Sequence, residues 1–338
     1  AAASCICLPI GLGPGWLIGR AAQLVLGVIG AFSRLPYSAV SLDNPYAAVW
    51  AVFFFCAVWV ICLQPKKLRA SLTLGCIAVT FALCMGLSAL DYRSAGFTFT
   101  ALDVGQGQCL VYTADGETSM VDCGGVQNES GELAARYLEG NGVFRVERLF
   151  LTHPDADHCN GAAQLISRVQ VGTLYLPMTA LREQSDMLQT IIRTARENGT
   201  QVRFVRENLE FPTKRGKIRV LKPDLLESGN DGGLCVLAAH EKYDILITGD
   251  LSQNEEYRLL SQNELRGIEL LVAGHHGAAP STSDARLAQT GARTVILSVG
   301  ADNSYGHPAA QTLARIQNAG AAIYRTDEMG TIVIRGGN

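Results

Sequence analysis

Two histidines and two aspartates fall within six positions at His153-Pro154-Asp155-Ala156-Asp157-His158. Imidazole nitrogens and carboxylate oxygens at that density are the donor set of a divalent metal site. The apolar run Leu149-Phe150-Leu151-Thr152 reads as a strand entering this loop, and Ala162–Ile166, beyond Gly161, reads as a helix leaving it. Further ligand-type side chains follow at strand ends. The run Tyr243–Thr248 delivers Asp250 to a sheet edge, and a strand over 268–273 ends in Gly274-His275-His276-Gly277. Adjacent side chains there point different ways, so one histidine of the pair ligates; the residue types do not choose which. His307, in Asn303-Ser304-Tyr305-Gly306-His307-Pro308, opens a helix expected over 309–319. A ring and backbone N–H groups at a helix start suit a phosphate oxygen, and capping the helix is the plainer role. Asn230-Asp231-Gly232-Gly233 offers another ligand or phosphate contact, or only a turn. His240 lies between two strand-like runs and reads as a hairpin residue, not a ligand.

The elements that position these groups belong to a mixed α/β region. Strands over 97–104, 108–113 and 118–122, separated by Gly-rich and Asp-Gly turns, predict a meander at a sheet edge. A helix over 130–140, strands at 146–151 and 171–176, a helix over about 181–198 and a strand at 201–205 follow. A second strand-rich stretch then leads to a helix over 253–265, a strand at 294–299, the helix after His307, and strands at 321–325 and 331–335. Such alternation implies helices packed on sheet faces.

The preceding residues are of another kind. The 338-residue chain is 48% hydrophobic and only 17% charged, below the roughly 25% typical of soluble domains. Residues 1–92 hold Arg20, Arg34, Lys66, Lys67 and Arg69 against Asp43 and Asp91, a net +3, whereas 93–338 carry −6. Uncharged apolar runs at 46–63 and 70–90 are each expected to cross a hydrocarbon core of about 30 Å. Lys66, Lys67 and Arg69 between them place that connection in the cytoplasm by the positive-inside rule, and so put the later domain outside. Residues 5–33 are apolar but broken by Gly11, Gly13, Pro14, Gly15 and Arg20, compatible with a half-helix or an interfacial helix. The opening, without Met or a basic leader, predicts a piece of a longer membrane protein. Six of the ten cysteines lie in this apolar part and no C-x-x-C pair occurs, so no disulfide framework is expected. Cys159, next to His158, reads as a buried thiol at a helix start.

The pattern His-x-Asp-x-Asp-His resembles the signature of the metallo-β-lactamase superfamily, in which His is usual where this chain has Asp155. Leu-Asp-Val-Gly-Gln-Gly at 102–107 and Asn-x-Tyr-Gly-His-Pro at 303–308 are similar to phrases of the ComEC family of competence DNA-uptake channels. That family usually has Asp at the position of Gln108, so no role of that carboxylate carries over. The resemblance spans essentially the whole chain. It implies a metallo-β-lactamase-like αββα sandwich preceded by transmembrane α-helices, with residues 1–92 the end of a channel domain and 93–338 the hydrolase domain.

By that resemblance, His153, Asp155, Asp157, His158, Asp250 and His275 or His276 hold two divalent cations, Asp250 lying between them. Asp122, in Asp-Cys-Gly-Gly, orders the metal loop; Asp103, Asn230, Asp231 and Asn303 support the ligands or meet the substrate. Asp157 and His307 are the catalytic candidates, the first orienting water, the second contacting phosphate or protonating the leaving oxygen. The carboxylate-rich set favours Mn²⁺, with Zn²⁺ the alternative. The implied reaction is phosphodiester hydrolysis of incoming, single-stranded DNA, at a multi-pass bacterial cell membrane and alongside other uptake proteins. Hydrolysis of another ester or thioester, or a non-catalytic channel module, would use the same ligands. The acidic domain runs against a nucleic-acid partner. The local cluster Arg203, Arg206, Lys214, Arg215, Lys217 and Arg219 is either a DNA contact or a solvated strand face.

Overall fold

A computed structural model describes residues 45–62, 68–126, 129–183, 185–222 and 229–336, together with Trp16, Gly19, Arg20 and the helical residues 22–27. Most of the expected segment 5–33, and Lys66 and Lys67 of the charged connection, lie outside the described residues. The chain divides into compact units 1–42 and 43–338.

The second unit opens with helices α1 (Pro45–Cys62) and α2 (Leu68–Ser94). They pack side by side: Trp50 Nε1 donates to the Ile77 carbonyl at 3.2 Å, and the Trp50 and Phe81 rings meet edge-on at 4.7 Å. Phe55, Trp59, Leu74, Val79 and Leu83 remain exposed, an apolar surface of the kind soluble proteins cover. Within α2, Thr73–Tyr92 is 20 residues long with mean hydropathy 2.0, long and apolar enough to cross a membrane. The expected span over 46–63 falls on α1, whose stretch Tyr46–Trp59 is apolar. The last turns of α2 leave this apolar setting. Tyr92 is buried against the following domain, its hydroxyl bonded with Thr113 Oγ1 at 3.1 Å, and Ser88 Oγ donates to the Gly140 carbonyl.

The rest of the unit is built from two seven-stranded sheets. Strands β1 (Phe97–Ala101), β2 (Cys109–Ala114), β3 (Glu117–Cys123), β4 (Arg145–Phe150), β5 (Gln170–Pro177) and β6 (Gln201–Val205) run in sequence across the first. The second holds β7 (Leu209–Pro212), β8 (Gly216–Leu221), β9 (Cys235–His240), β10 (Tyr243–Ile247), β11 (Leu270–Val272), β12 (Thr294–Leu297) and β13 (Ala322–Arg325). The last strand, β14 (Ile332–Gly336), returns to pair antiparallel with β1, so the expected edge meander is covered. Each sheet begins antiparallel and ends parallel, β3 to β6 and β10 to β13. Parallel neighbours need crossovers, and helices supply them: α3 (Ser130–Gly140), α4 (Ala156–Cys159), α5 (Ala162–Arg168) and α6 (Asp186–Glu197) in the first half. In the second they are α7 (Gln253–Gln262), α8 (Asp284–Thr290) and α9 (Ala310–Asn318), and α10 (Thr326–Met329) precedes β14.

Three apolar clusters give the layers their order. Phe99, Leu110, Val121 and Phe150 meet Val220, Val236, Ile245 and Val272 between the sheets. Ala134, Leu138, Leu165 and Ile191 of the first helices cover the outer face of sheet one, and Leu259, Leu260, Leu287 and Ile316 cover that of sheet two. Alternation along β1 shows the logic: Phe97, Phe99 and Ala101 enter the inter-sheet core, while Thr100 Oγ1 bonds the Tyr137 hydroxyl of the helix layer at 2.6 Å. Helix, sheet, sheet, helix is the metallo-β-lactamase α/β sandwich the sequence led us to expect.

Several expected elements are shorter, among them the helix expected over 253–265, which ends at Gln262, and the strands expected over 268–273 and 294–299, which are Leu270–Val272 and Thr294–Leu297. The strand from Phe97 stops at Ala101 because Asp103 and Gly105 (φ 70°) turn the chain, and the helix near 181 starts at Asp186, where Ser185 Oγ accepts from Leu188 N.

Candidate metal centre

The ligand candidates converge where parallel strands end, as expected for open α/β sheets. The organiser is Asp122 at the end of β3, fully buried with a left-handed backbone (φ 61°). Its Oδ1 accepts from the Thr152 amide at 2.7 Å; its Oδ2 accepts from Thr152 Oγ1, His158 Nδ1 and Gln108 Nε2 at 2.8, 2.7 and 2.7 Å. The loop 152–160 thus hangs on one carboxylate. Its backbone is pressed against Gly124, where a Cβ would sit 2.2 Å from the Asp157 carbonyl carbon, so glycine is required there.

Hydrogen bonds fix which nitrogen of each ring faces inward. His158 donates through Nδ1 to Asp122, His153 Nδ1 pairs with Thr152 Oγ1 at 3.0 Å, and His276 donates through Nδ1 to the Ser298 carbonyl at 2.8 Å. The three Nε2 atoms therefore present lone pairs to the interior. His158 Nε2 lies 3.2 Å from His276 Nε2 and 3.1 Å from Asp250 Oδ1. His276 Nε2 is 3.3 Å from Asp157 Oδ2, and His153 Nε2 is 3.7 Å from Asp250 Oδ2. His153, His158 and His276 are at most 2% exposed, and His153 Nε2 has no hydrogen-bond partner. Buried acceptors pointed at one another repel unless a proton or cation lies between them. The donor set therefore fits a divalent metal. Among the described residues, His153, His158 and Asp250 make one group able to hold an ion, and Asp157, His158 and His276 another.

The electrostatics point the same way. Burial opposes charge on His158, but Asp250 and Asp122 outweigh it and push the ring's pKa well up, marking a place that wants positive charge. Burial also opposes ionisation of Asp250, yet His158, His153 and His276 hold it well below the usual carboxylate range. Asp157 behaves alike: burial raises it, while His276 and His158 bring it down to about 2. His153 is driven down to about 4 by burial and by His158, so it is neutral and able to ligate at pH 7.

The remaining candidates fall around this centre. Asp155, whose side chain is 49% exposed, reaches to 3.7 Å from His153 Nε2, and His275 Nε2 stands 3.6 Å from Asp250 Oδ2 with its side chain 36% exposed. Burial and Asp157 raise the Asp155 carboxyl. The His307 ring faces His275 edge-on at 5.7 Å and is held down by burial, His275 and His276. Asn303 is a loop clamp: its Oδ1 accepts from Tyr305 N and His307 N, and its Nδ2 donates to the Gly300 carbonyl. Asp231 Oδ1 accepts from Ser252 N, tying down the segment after Asp250; Asn230 contributes its carbonyl to Gly233 N. Asp103 is exposed and bonds Gly105 N within its own turn. His240 is buried beside Phe97, away from the ligand groups, with neither ring nitrogen hydrogen-bonded. The Cys159 thiol bonds the Pro154 and Asp155 carbonyls, and burial drives it far up, so it is inert. Cys56, Cys76, Cys84, Cys109, Cys123, Cys159 and Cys235 are free. In the basic stretch, Arg215 pairs with Asp115, and Lys217 and Arg219 with Glu210, which favours a solvated strand face for these three.

The second ligand turn is held differently. His275 and His276 both adopt left-handed φ (51° and 52°), a conformation costing roughly 1–3 kcal/mol per non-glycine residue. Beneath them Arg286 and Glu256 form a fully buried ion pair. Glu256 also accepts from Thr282 N and Ser283 N at 2.7 and 2.8 Å, Arg286 donates to the Val272 carbonyl, and Thr282 Oγ1 accepts from Gly274 N at 3.0 Å. Sequence reasoning missed this pair, since 30 residues separate its members. It also left Gln108 without a role, although the departure from the family phrase was a usable signal.

The metallo-beta-lactamase superfamily model matches residues 102–300. Among curated proteins, ComE operon protein 3 of Bacillus subtilis is 27% identical over 84% of this chain and 39% of its own length. Recombination protein 2 of Haemophilus influenzae is 26% identical over 68% of this chain and 28% of its own. Competence protein ComA of Neisseria gonorrhoeae is 27% identical over 89% and 44%. The chain thus spans less than half the length of each of these relatives.

Proposed function

The chain belongs to the metallo-beta-lactamase superfamily, with ComEC-type competence proteins as its relatives, and we propose that it is the membrane-tethered, metal-dependent nuclease part of a DNA-uptake channel. The observation that carries the hydrolase reading is the approach of His276 Nε2 and Asp250 Oδ1 to within 3.2 Å of His158 Nε2 in a buried centre. The relatives' competence names support DNA as the substrate, and the apolar surface of α1 and α2 supports a membrane tether.

His153, His158, Asp250, Asp157 and His276 hold the cations, with Asp155 and His275 completing the set from the rim. Held by these residues, a divalent cation would supply Lewis-acid charge for a phosphoryl oxygen and for a water nucleophile near neutral pH. Asp157 stays ionised and accepts a hydrogen bond from the attacking water, aligning it. Asp122 and the Ser298 carbonyl hold the Nδ1–H groups of His158 and His276, so Nε2 is the nitrogen that each ring turns to a cation. His307, neutral at pH 7, donates a ring N–H hydrogen bond to a phosphate oxygen; protonating the leaving oxygen would require the ring to be charged first, at lower pH. Residues 1–92 form the end of the channel domain and 93–338 the hydrolase, which faces outward; the three aspartates favour Mn²⁺ over Zn²⁺.

The test is hydrolysis of single-stranded DNA by the full chain in detergent, after chelation and return of Mn²⁺, Mg²⁺ or Zn²⁺. Metal-dependent cleavage that Asp250→Asn removes is expected. Stoichiometric metal binding without cleavage would leave a non-catalytic module instead.

A further inference from the structure

The segment 300–308 carries a large aromatic ring that the metal chemistry leaves unused. Tyr305 is 68% exposed, whereas the His153, His158 and His276 rings of the centre are buried. Its ring lies on the His307 ring with centroids 5.7 Å apart and planes 25° from parallel, an offset stack. His307 in turn meets His275, and His275 Nε2 lies 3.6 Å from Asp250 Oδ2, so the rings step outward from the ligands to the surface. The segment is built to hold that pose. Asn303 Oδ1 ties both the Tyr305 and His307 amides, at 3.2 and 3.0 Å, and Gly306 takes the left-handed turn (φ 70°) between them. Gly300 packs so closely on the 105–106 backbone that a Cβ would lie 2.4 Å from Gln106 N, which anchors the other end.

We infer that Tyr305 is a stacking platform for an unpaired nucleobase next to the scissile phosphate, making it a specificity-determining residue for single-stranded nucleic acid. Every base has a π-face, so such a platform grips a strand without reading its sequence, and ring-on-base stacking of this kind is the usual device of single-strand binders. A paired base inside a duplex cannot offer that face. The acidic domain, and the ion-paired state of Arg215, Lys217 and Arg219, make stacking the more needed source of strand affinity. The inference rests on the nuclease reading above and narrows its substrate to unpaired strands.

The experiment compares the wild-type full chain in detergent with Tyr305→Ala and Tyr305→Phe on an oligothymidylate of about ten nucleotides. Each is repeated on the same strand with abasic residues, and strand binding is followed separately by fluorescence anisotropy. Tyr305→Ala should raise KM and Kd for oligothymidylate about tenfold. Tyr305→Phe, which keeps the ring, should match wild type. The loss caused by Tyr305→Ala should vanish on the abasic strand, because the ring then has no base to meet. An equal loss on both strands would mean that Tyr305 merely holds His307 in place, and an unchanged KM would mean that it holds nothing; either overturns the platform. Wild-type chain that binds the strand without cutting it removes the nuclease reading but still decides the platform through the Kd ratio. Neither binding nor cutting overturns both.

Discussion

Between residues 152 and 160 the ligand side chains are oriented by hydrogen bonds converging on one carboxylate, whereas residues 274–277 hold theirs in a left-handed backbone above a buried ion pair. The first arrangement is dense and local: Asp122, itself the one left-handed residue there (φ 61°), reaches a loop in ordinary backbone conformation and sets both the place and the tautomer of His158. The second spends backbone strain to turn His276 inward, and depends on Glu256 and Arg286 to keep the turn from relaxing. The first loop should therefore fail by losing metal while the fold survives. The second should fail by loosening.

The largest effect is expected where both regions meet. Asp250 faces His153, His158, His275 and His276. Asp250→Asn should remove a ligand from both sides at once and lower kcat by a thousandfold or more, the scale of several kcal/mol of lost charge stabilisation. Retention of more than about a tenth of the activity would mean the two regions do not share a centre.

Next comes the ion pair. Glu256→Gln leaves Arg286 buried without a counter-charge and should destabilise the fold by about 3–5 kcal/mol in denaturant titrations. Replacing both partners, Glu256→Leu with Arg286→Met, should recover much of that loss, since well-packed apolar pairs often equal buried ion pairs. A single variant as stable as wild type would remove the distinction between the two supports.

Asp122→Asn is the matching cut in the first region. It keeps the shape but loses the charge, and should weaken metal affinity about 10- to 100-fold by calorimetry. Should the domain instead unfold before metal is lost, Asp122 would be as structural as Glu256.

The smallest effect concerns the rim. Asp155→His exchanges a hard oxygen for an imidazole and should move the Mn²⁺ to Zn²⁺ activity ratio a few-fold toward Zn²⁺. Equal activity with both metals in the wild type would show that ligand hardness does not set the preference.

Much of the first region was legible in the sequence, because its ligands are neighbours in the chain and its strand and helix have clear apolar periods. The two-halved order of strands and helices was legible for the same reason. What escaped reading was tertiary. Strands β7 and β8 hid under alternating charges such as Glu210, Lys217 and Arg219, which pair across the strands. The pairing of β14 with β1 joins chain segments more than two hundred residues apart. Nothing local signals left-handed backbone at His275 and His276, and nothing in Glu256 or Arg286 announces the partner. Which of the two histidines turns inward depended on Ser298, whose carbonyl orients the buried His276 ring, while His275 stays partly exposed.

The end of α2 has a practical consequence for anyone cutting this chain. Tyr92 lies in the same apolar cluster as Val111, Met120, Leu138 and Leu149, and Ala89 fits against Gly142, where a Cβ would approach its own within 2.6 Å. A fragment started at Arg93 would omit a tyrosine whose removal leaves a void of the kind that costs about 3–5 kcal/mol. The scissors belong a full turn or more upstream, before Ser88, where the helix has already become a wall of the domain.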